Sequence, residues 1–372
     1  MNDNKTTLII DIADDSVSGF LFRAGPERID LINIQRYVRF IEDDKKLIEA
    51  LQITYKGQYD ELKIVDNRIE WFGNALRNMY PEGLTVGVLI DGSRTVVGAS
   101  SYGRLYNTKA YDYGVGEKLD DTLDSLGLEH IKGWLSIMGR DDDSDRLMNL
   151  LGNRRLYRGL KENSKDNQTV LLGLIRLILN KVRGDQSFLH EDSVSFTKGT
   201  HRIVITGDIA LELGDWGNVV LAVLDGIGIE GVWEIIVDTQ SALIASSYTN
   251  SGGRLVLEEI GVQSLGSIII PSHNYPWGEY LGEVQVDIGL SEDQVVELRS
   301  GEIVRLPLDT NVKGSIGMKV KPHITVTGYK GLEKINGGLV GLVLDVRGRP
   351  LPDISDTETY ASNYRHWEQA VR

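Results

Sequence analysis

Apolar positions along the chain follow two periods, one close to two residues and one close to 3.6. Thr7–Ile12 and Gly19–Arg23 read as strands around the polar turn ADDSVS, and RIDLINIQRY continues the β pattern with β-branched residues in rough alternation. Asp43–Leu51 and Asn67–Met79 then predict helices, the second ended by Pro81 and Gly83. The run VGVLIDGSRTVVGASSYG (Val86–Gly103) is strand, tight polar turn and strand again. Leu119, Leu123 and Leu126 stand at helical spacing inside Gly116–Leu135, and the pattern is helical from the DDDSD loop (Asp141–Asp145) to Val182. His201–Gly214 predicts a strand and a polar turn, Asn218–Gly226 a helix, Val232–Asp238 a strand, and a further helical stretch begins at Gln240. From Arg254 to GGLVGLVLDVRGRPLP (Gly337–Pro352) short β runs are separated by Gly, Pro and Asn, the pattern of a small β-sandwich or barrel. The tail predicts a helix, with Ser355 and Glu358 at capping-box spacing and Tyr360, Tyr364, Trp367 and Val371 along one face.

Composition narrows the function classes. At 372 residues the chain is long enough for two or three domains, and 41% apolar with 25% charged residues is ordinary globular content. The net charge of −14, with no basic run, argues against a nucleic-acid partner, because an acidic surface repels phosphodiesters. With no cysteine, disulfides, thiolate metal sites and cysteine nucleophiles are excluded, which suits a reducing compartment. The N-terminus MNDNKTTLIIDIADD lacks a basic region followed by a long apolar one. The most apolar helix, TVLLGLIRLILNKV, has Arg176 inside it and is too short to span a bilayer. A soluble cytoplasmic protein with no membrane contact is the expectation.

Most motifs resolve to structure. GIGIEG (Gly226–Gly231) follows a helix and leads into a strand, the reverse of a dinucleotide fingerprint, and reads as a helix cap and turn. DDDSDR lacks the turn glycine and the bidentate glutamate of a calcium loop and reads as a solvated acidic loop. The six histidines have no ligand spacing, and neither a nucleophile elbow nor a Walker A sequence is present, so no catalytic or metal residue is assigned. SHNYPWG (Ser272–Gly278) is open to two readings, a packed β-turn or an exposed contact loop.

One repetition carries organisation. TTLIIDIADDSVSGFLF and LTVGVLIDGSRTVVGAS are both strand, short acidic–hydroxyl turn and strand, as a duplicated sheet-and-helix domain would give. The pair resembles the hairpins of the actin/Hsp70/sugar-kinase superfamily. A narrower resemblance, from about residue 84 to the end, is to the glutamate mutase L family. It is carried by VGVLIDGSRTVVGASSYGRL, YDYGVGEKLDDTLDSLGLEHIKGWL, IVITGDIALELG, VVLAVLDGIGIEGVWEIIVD and GGLVGLVLDVRGRPLP. The resemblance implies an α/β fold of actin-like (ribonuclease H-like) duplicated domains with a C-terminal β-sandwich or barrel region. The division would be a reduced first domain over 1–83, a second over 84–253, a β-rich domain over 254–352 and a C-terminal helix over 353–372.

It also implies a nucleotide cleft. Asp11 and Asp91 would be its metal-side acids, Ser16, Gly92, Ser93 and Thr95 would face phosphate, Arg94 would add positive charge, and Gly207 would lie near the base. The chain departs from the superfamily at each element. Ala13 and Asp14 stand where glycine and a hydroxyl residue belong, Leu89 where the second acid belongs, Asp91 where a glycine belongs, and Asp208 and Ile209 follow Gly207. The leading expectation is therefore a protein-binding or assembly module with a degenerate nucleotide site, no cofactor and no hydrolysis. The acidic balance and the Trp and Tyr content, including Trp277 and Trp367, are compatible with a protein partner or self-association. The alternative is an Mg-ATP-dependent ATPase switch, or a chaperone or reactivase for a cobalamin-dependent mutase; a small-molecule kinase lacks any substrate-site signature.

Overall fold

The computed structural model describes residues 5–25, 28–39, 43–65, 67–79, 83–138, 144–156, 165–184, 201–249, 254–255, 260–289, 293–349, 351 and 357–372. Strands β1 (Lys5–Ile12), β2 (Ser16–Ala24) and β3 (Arg28–Val38) form an antiparallel meander. Helix α1 (Asp44–Thr54) returns the chain to β4 (Glu61–Ile64), parallel to β1. Helix α2 (Arg68–Met79) leads into a second meander, β5 (Leu84–Ile90), β6 (Thr95–Ser101) and β7 (Arg104–Tyr111). The helical region predicted next is α3 (Leu119–Leu126), α4 (Leu128–Ile137), α5 (Ser144–Leu156) and α6 (Lys165–Gly184). It returns to β8 (His201–Thr206), parallel to β5; α7 (Asp208–Glu212) and α8 (Trp216–Ile227) follow, then β9 (Gly231–Asp238), parallel to β8, and α9 (Leu243–Ser247). The strand order β3-β2-β1-β4 of one sheet is thus repeated in the other as β7-β6-β5-β8, with β9 added.

The C-terminal strands are β10 (Arg254–Leu255), β11 (Val262–Ile270), β12 (Tyr280–Asp287), β13 (Gln294–Arg299), β14 (Glu302–Leu306), β15 (Lys313–Val320), β16 (Glu333–Asn336) and β17 (Leu342–Val346). They do not make one self-contained unit as the sequence pattern suggests. β10 joins β3 at the edge of the first sheet, and β11, β17 and β14 extend the second to eight strands. Only β13, β12, β15 and β16 form a sheet of their own. The reason is burial: Ile268, Ile269 and Ile270 are all buried, so both faces of β11 need cover and the strand takes an interior place.

Packing forms successive layers. Helix α1 covers one face of the first sheet through Leu47, Leu51 and Tyr55 on Leu8, Ile10 and Leu21. Helices α2 and α9 fill the space between its other face (Ile9, Phe20, Phe22) and Leu89, Val96, Val204 and Ile236 of the second sheet. The far face of the second sheet packs on α4, α6, α8 and α10 (Thr357–Val371). The predicted aromatic stripe of α10 faces inward, and Trp367 is only 2% exposed, so it is core and not the contact residue the sequence suggests; Trp277 is 53% exposed. Ser355 of the proposed capping pair and Asp141–Asp143 lie outside the described residues, while Asp145 opens α5.

Strand β17 and the arginines that follow it are fixed by a buried ionic chain. Arg347 pairs with Asp345 and Asp225, Arg349 with Asp345, and Arg176 with Asp225. It ties β17 to α8 and α6. Arg176 also donates to the Tyr364 hydroxyl, which brings in α10.

Candidate functional site

The two hairpin turns meet between the sheets. Each is a four-residue turn closed by its first N–H on its fourth C=O: Ala13 to Ser16 at 2.9 Å, and Asp91 to Arg94 at 2.9 Å. In the strand registers Ile12 pairs with Val17 and Ile90 with Thr95. Asp11 is therefore equivalent to Leu89, Ala13 to Asp91, Asp14 to Gly92 and Asp15 to Ser93. The acid of the second hairpin stands two residues further along than that of the first.

Arg68, the first residue of α2, lies between them. Its Nε is 3.1 Å from Asp11 Oδ1, and its Nη1 donates to Asp91 Oδ2. The other Asp91 oxygen accepts the Asp208 N–H at 3.1 Å, which turns the start of α7 toward the cluster. A second arginine, Arg36 of β3, donates to Ser18 Oγ at 2.7 Å and to Gln240 O at 2.7 Å, joining the first sheet to the loop after β9. Asp238 at the end of β9 accepts the Thr206 hydroxyl at 2.8 Å and the N–H groups of Ala242 and Leu243 at 3.0 and 2.8 Å, which caps α9.

Two buried carboxylates, Asp11 and Asp91, pair with the Arg68 guanidinium and a third, Asp208, acts on it electrostatically, and the electrostatics follow from that imbalance. Burial pushes Asp11 and Asp91 above the ordinary carboxylate value, with Arg68 opposing it. Asp208 is pushed well above, by burial and then by Asp91. Burial alone would lower Arg68, but Asp11, Asp91 and Asp208 outweigh it and hold the guanidinium above its ordinary value. Arg36 is lowered, chiefly by burial.

The tip of the first hairpin enters the second. The Ser93 N–H and Oγ–H both donate to Asp14 Oδ2, at 2.8 and 2.6 Å. A Cβ on Gly92 would stand 2.7 Å from Asp15 Oδ1, and one on Gly116 would stand 2.9 Å from Asp15 Oδ2. These glycines serve close approach.

The remaining sequence candidates are distributed around this contact. Gly207 is inside it, with φ +97° and a hypothetical Cβ 2.8 Å from Asp91 Oδ1, so it abuts the second acid. Thr95 is buried and its hydroxyl donates to Tyr113 O at 2.7 Å. Ser16 is buried at the start of β2, and Arg94 is exposed. Sequence reasoning missed Arg68, Arg36 and Asp15 altogether. The signal for Arg68 was a basic residue in the first turn of a helix, where the dipole favours acids.

No protein-family model matches the sequence, and no curated protein matches it. Among solved structures, the chain is similar to the Ppx/GppA family member of Aquifex aeolicus over 54% of its own length, with 9% identity and a TM-score of 0.30; it covers 66% of that protein, just under two thirds. It is similar to ethanolamine utilization protein EutJ from Carboxydothermus hydrogenoformans (10% identity, TM-score 0.38, 65% of this chain and 88% of the other). It is also similar to a chain of the PilM–PilN type IV pilus biogenesis complex (7% identity, TM-score 0.36, 65% and 96%). The mixed α/β architecture, with its strand order repeated in two sheets, fits an actin-like fold.

Proposed function

We propose that this chain is an actin-like scaffold with a degenerate nucleotide site, acting through protein contacts in a cytoplasmic setting. The carrying observation is the Arg68 guanidinium between Asp11 and Asp91. A magnesium ion at that place would need the same carboxylate oxygens, and it would lie beside a fixed positive charge. At about 4 Å and an effective dielectric near 20, a divalent and a monovalent cation repel by roughly 8 kcal/mol. The residues present do not fit Mg-ATP in this arrangement.

A role in protein contacts is supported by features outside the cleft. The four-stranded sheet adds surface beyond the repeated units, and the exposed Trp277 lies across Gly301 with Trp367 behind it at 6.1 Å. A half-buried, braced indole suits an anchor residue. The resemblance to the glutamate mutase L family is compatible with a partner-dependent role and names no partner.

Thermal shift and calorimetry with Mg-ATP and Mg-ADP test the reading, since a ligand that binds the native state must stabilise it. No shift is expected at millimolar nucleotide. Micromolar binding that disappears in Asp91→Ala would overturn the proposal and support the ATPase switch or reactivase reading.

A further inference from the structure

We infer that Asp14 and Asp15 form an internal anionic plug, seated in an oxyanion receptor that the second hairpin builds and that admits a free oxyanion only when the plug is neutralised. The inference rests on the proposed closure of the nucleotide site by Arg68, the closed-cleft reading, and adds its means of control.

The receptor has the chemistry of an anion site. Two donors of one residue, the Ser93 N–H and Oγ–H, converge on a single Asp14 oxygen at 2.8 and 2.6 Å, and convergent donors on one oxygen favour a charged acceptor. Gly92 and Gly116 leave the space that the Asp15 carboxylate fills. The wall behind them is backbone-bonded: Gly116 N–H and Lys118 N–H donate to Gly92 O at 3.0 and 3.1 Å, and Gly114 N–H donates to the Thr122 hydroxyl at 2.8 Å.

The plug is shaped separately, within its own sheet. Its turn closes through Ala13 N–H on Ser16 O at 2.9 Å, and Arg39 grips its backbone by donating N–H to Asp15 O at 3.0 Å and Nη1–H to Ala13 O at 2.9 Å. Plug and receptor are thus two preformed parts that join across the interface between the sheets. Asp15 is buried, whereas Asp14 is partly exposed, so the Asp14 carboxylate is the part that a solution anion can replace. The receptor selects by charge and oxygen geometry, which phosphoryl and carboxylate groups share.

The test uses the full chain in metal-free buffer with inorganic pyrophosphate and malonate as the two probes. Wild type is expected to give no calorimetric signal with either at millimolar concentration. Asp14→Asn/Asp15→Asn is expected to bind at least one probe, and Ser93→Ala in that background is expected to weaken binding about tenfold or more, as loss of a bond to a charged group does. The stronger probe identifies phosphoryl or carboxylate as the preferred group. A folded double variant that binds neither probe, or binding that Ser93→Ala leaves unchanged, overturns the inference. If the double variant does not fold, Asp14→Asn alone replaces it. This isosteric change must speed hydrogen exchange at the Ser93 amide relative to wild type, and unchanged exchange refutes the plug. Failure of the closed-cleft reading looks different: the wild type itself would bind Mg-ATP, and Asp91→Ala would abolish that binding.

Discussion

Replacing Asp225 by Asn keeps the volume of the side chain and removes one charge from the buried ionic chain behind the second sheet. Asp225 Oδ2 is 2.9 Å from Arg176 Nε, and Oδ1 is 2.7 Å from Arg347 Nη1, with the side chain 3% exposed. Arg347 and Arg349 also share Asp345, at 2.8 Å each. In the variant, three guanidiniums would share one carboxylate where two serve them now. Removing one partner of a buried pair costs about 3–5 kcal/mol. Arg347 would keep Asp345, and Arg176 would keep the Tyr364 hydroxyl at 2.5 Å and the Trp134 ring at 4.3 Å. The expected loss therefore sits near the lower end, about 3 kcal/mol. At about 2–4 °C per kcal/mol for a unit of 150–250 residues, Tm falls by about 6–12 °C. Urea and thermal unfolding followed by Trp fluorescence read this directly, because Trp134 and Trp367 both lie against the chain's arginines. Asp121→Asn is the control: its pair with Lys118 is exposed on both sides and screened by solvent, so its loss should leave Tm unchanged. If Asp225→Asn lies within about 1 kcal/mol of wild type, the ionic chain does not hold α10 to α6 and α8, and the aromatic packing does.

The pH dependence has two limbs of opposite sign. Asp11, Asp91 and Asp208 are raised by burial, so the folded state binds more protons than the unfolded one, and stability should rise as pH falls from neutral toward the unfolded carboxylate value of about 4. Asp345 is lowered, because Arg347 and Arg349 outweigh its burial; its contribution is present above the unfolded value near 4 and is lost as pH falls below it. Thermal melts across pH 3–8 should therefore rise from neutral pH toward the unfolded carboxylate value of about 4 and fall below it, and Asp208→Asn should flatten only the neutral limb; a Tm that falls steadily from pH 7 to 5 contradicts the assignment. A pair of glycine variants separates strain from propensity. Gly207→Ala meets φ +97° and the Ile90 carbonyl at 2.5 Å, and should lose at least about 2 kcal/mol. Gly133→Ala, inside α4 with open space around the new methyl, should gain about 0.5–1 kcal/mol in urea unfolding.

Local pattern reveals whatever local contacts decide. The two hairpins, α6 and the inward stripe of α10 were legible because their apolar positions recur at the period of the element. The split of the C-terminal strands was not, since GSIIIP and GEVQVDIGL read alike until it is known that β11 is covered on both faces and β12 on one. The site divides in the same way. Asp11 and Asp91 stand at strand ends beside turns and could be found, whereas Arg68 acts on residues 57 and 23 positions away and looks, in its own helix, like an ordinary solvated base. Asp14 shows the limit most sharply. In sequence it is one more acid in a polar turn; in space its carboxylate accepts both donors of Ser93 from the other hairpin.

Asp11, Asp91 and Asp208 are buried at 3%, 2% and 5% exposure, and burying uncompensated carboxylates is among the most destabilising changes a fold can carry. Arg68 supplies the cation they require, and Asp14 supplies the anion that Ser93 requires. Asp11, Asp91 and Asp14 thus each have a partner from another part of the chain. These contacts join the two sheets, and it follows that neutralising one partner should disturb the other before it disturbs the fold as a whole.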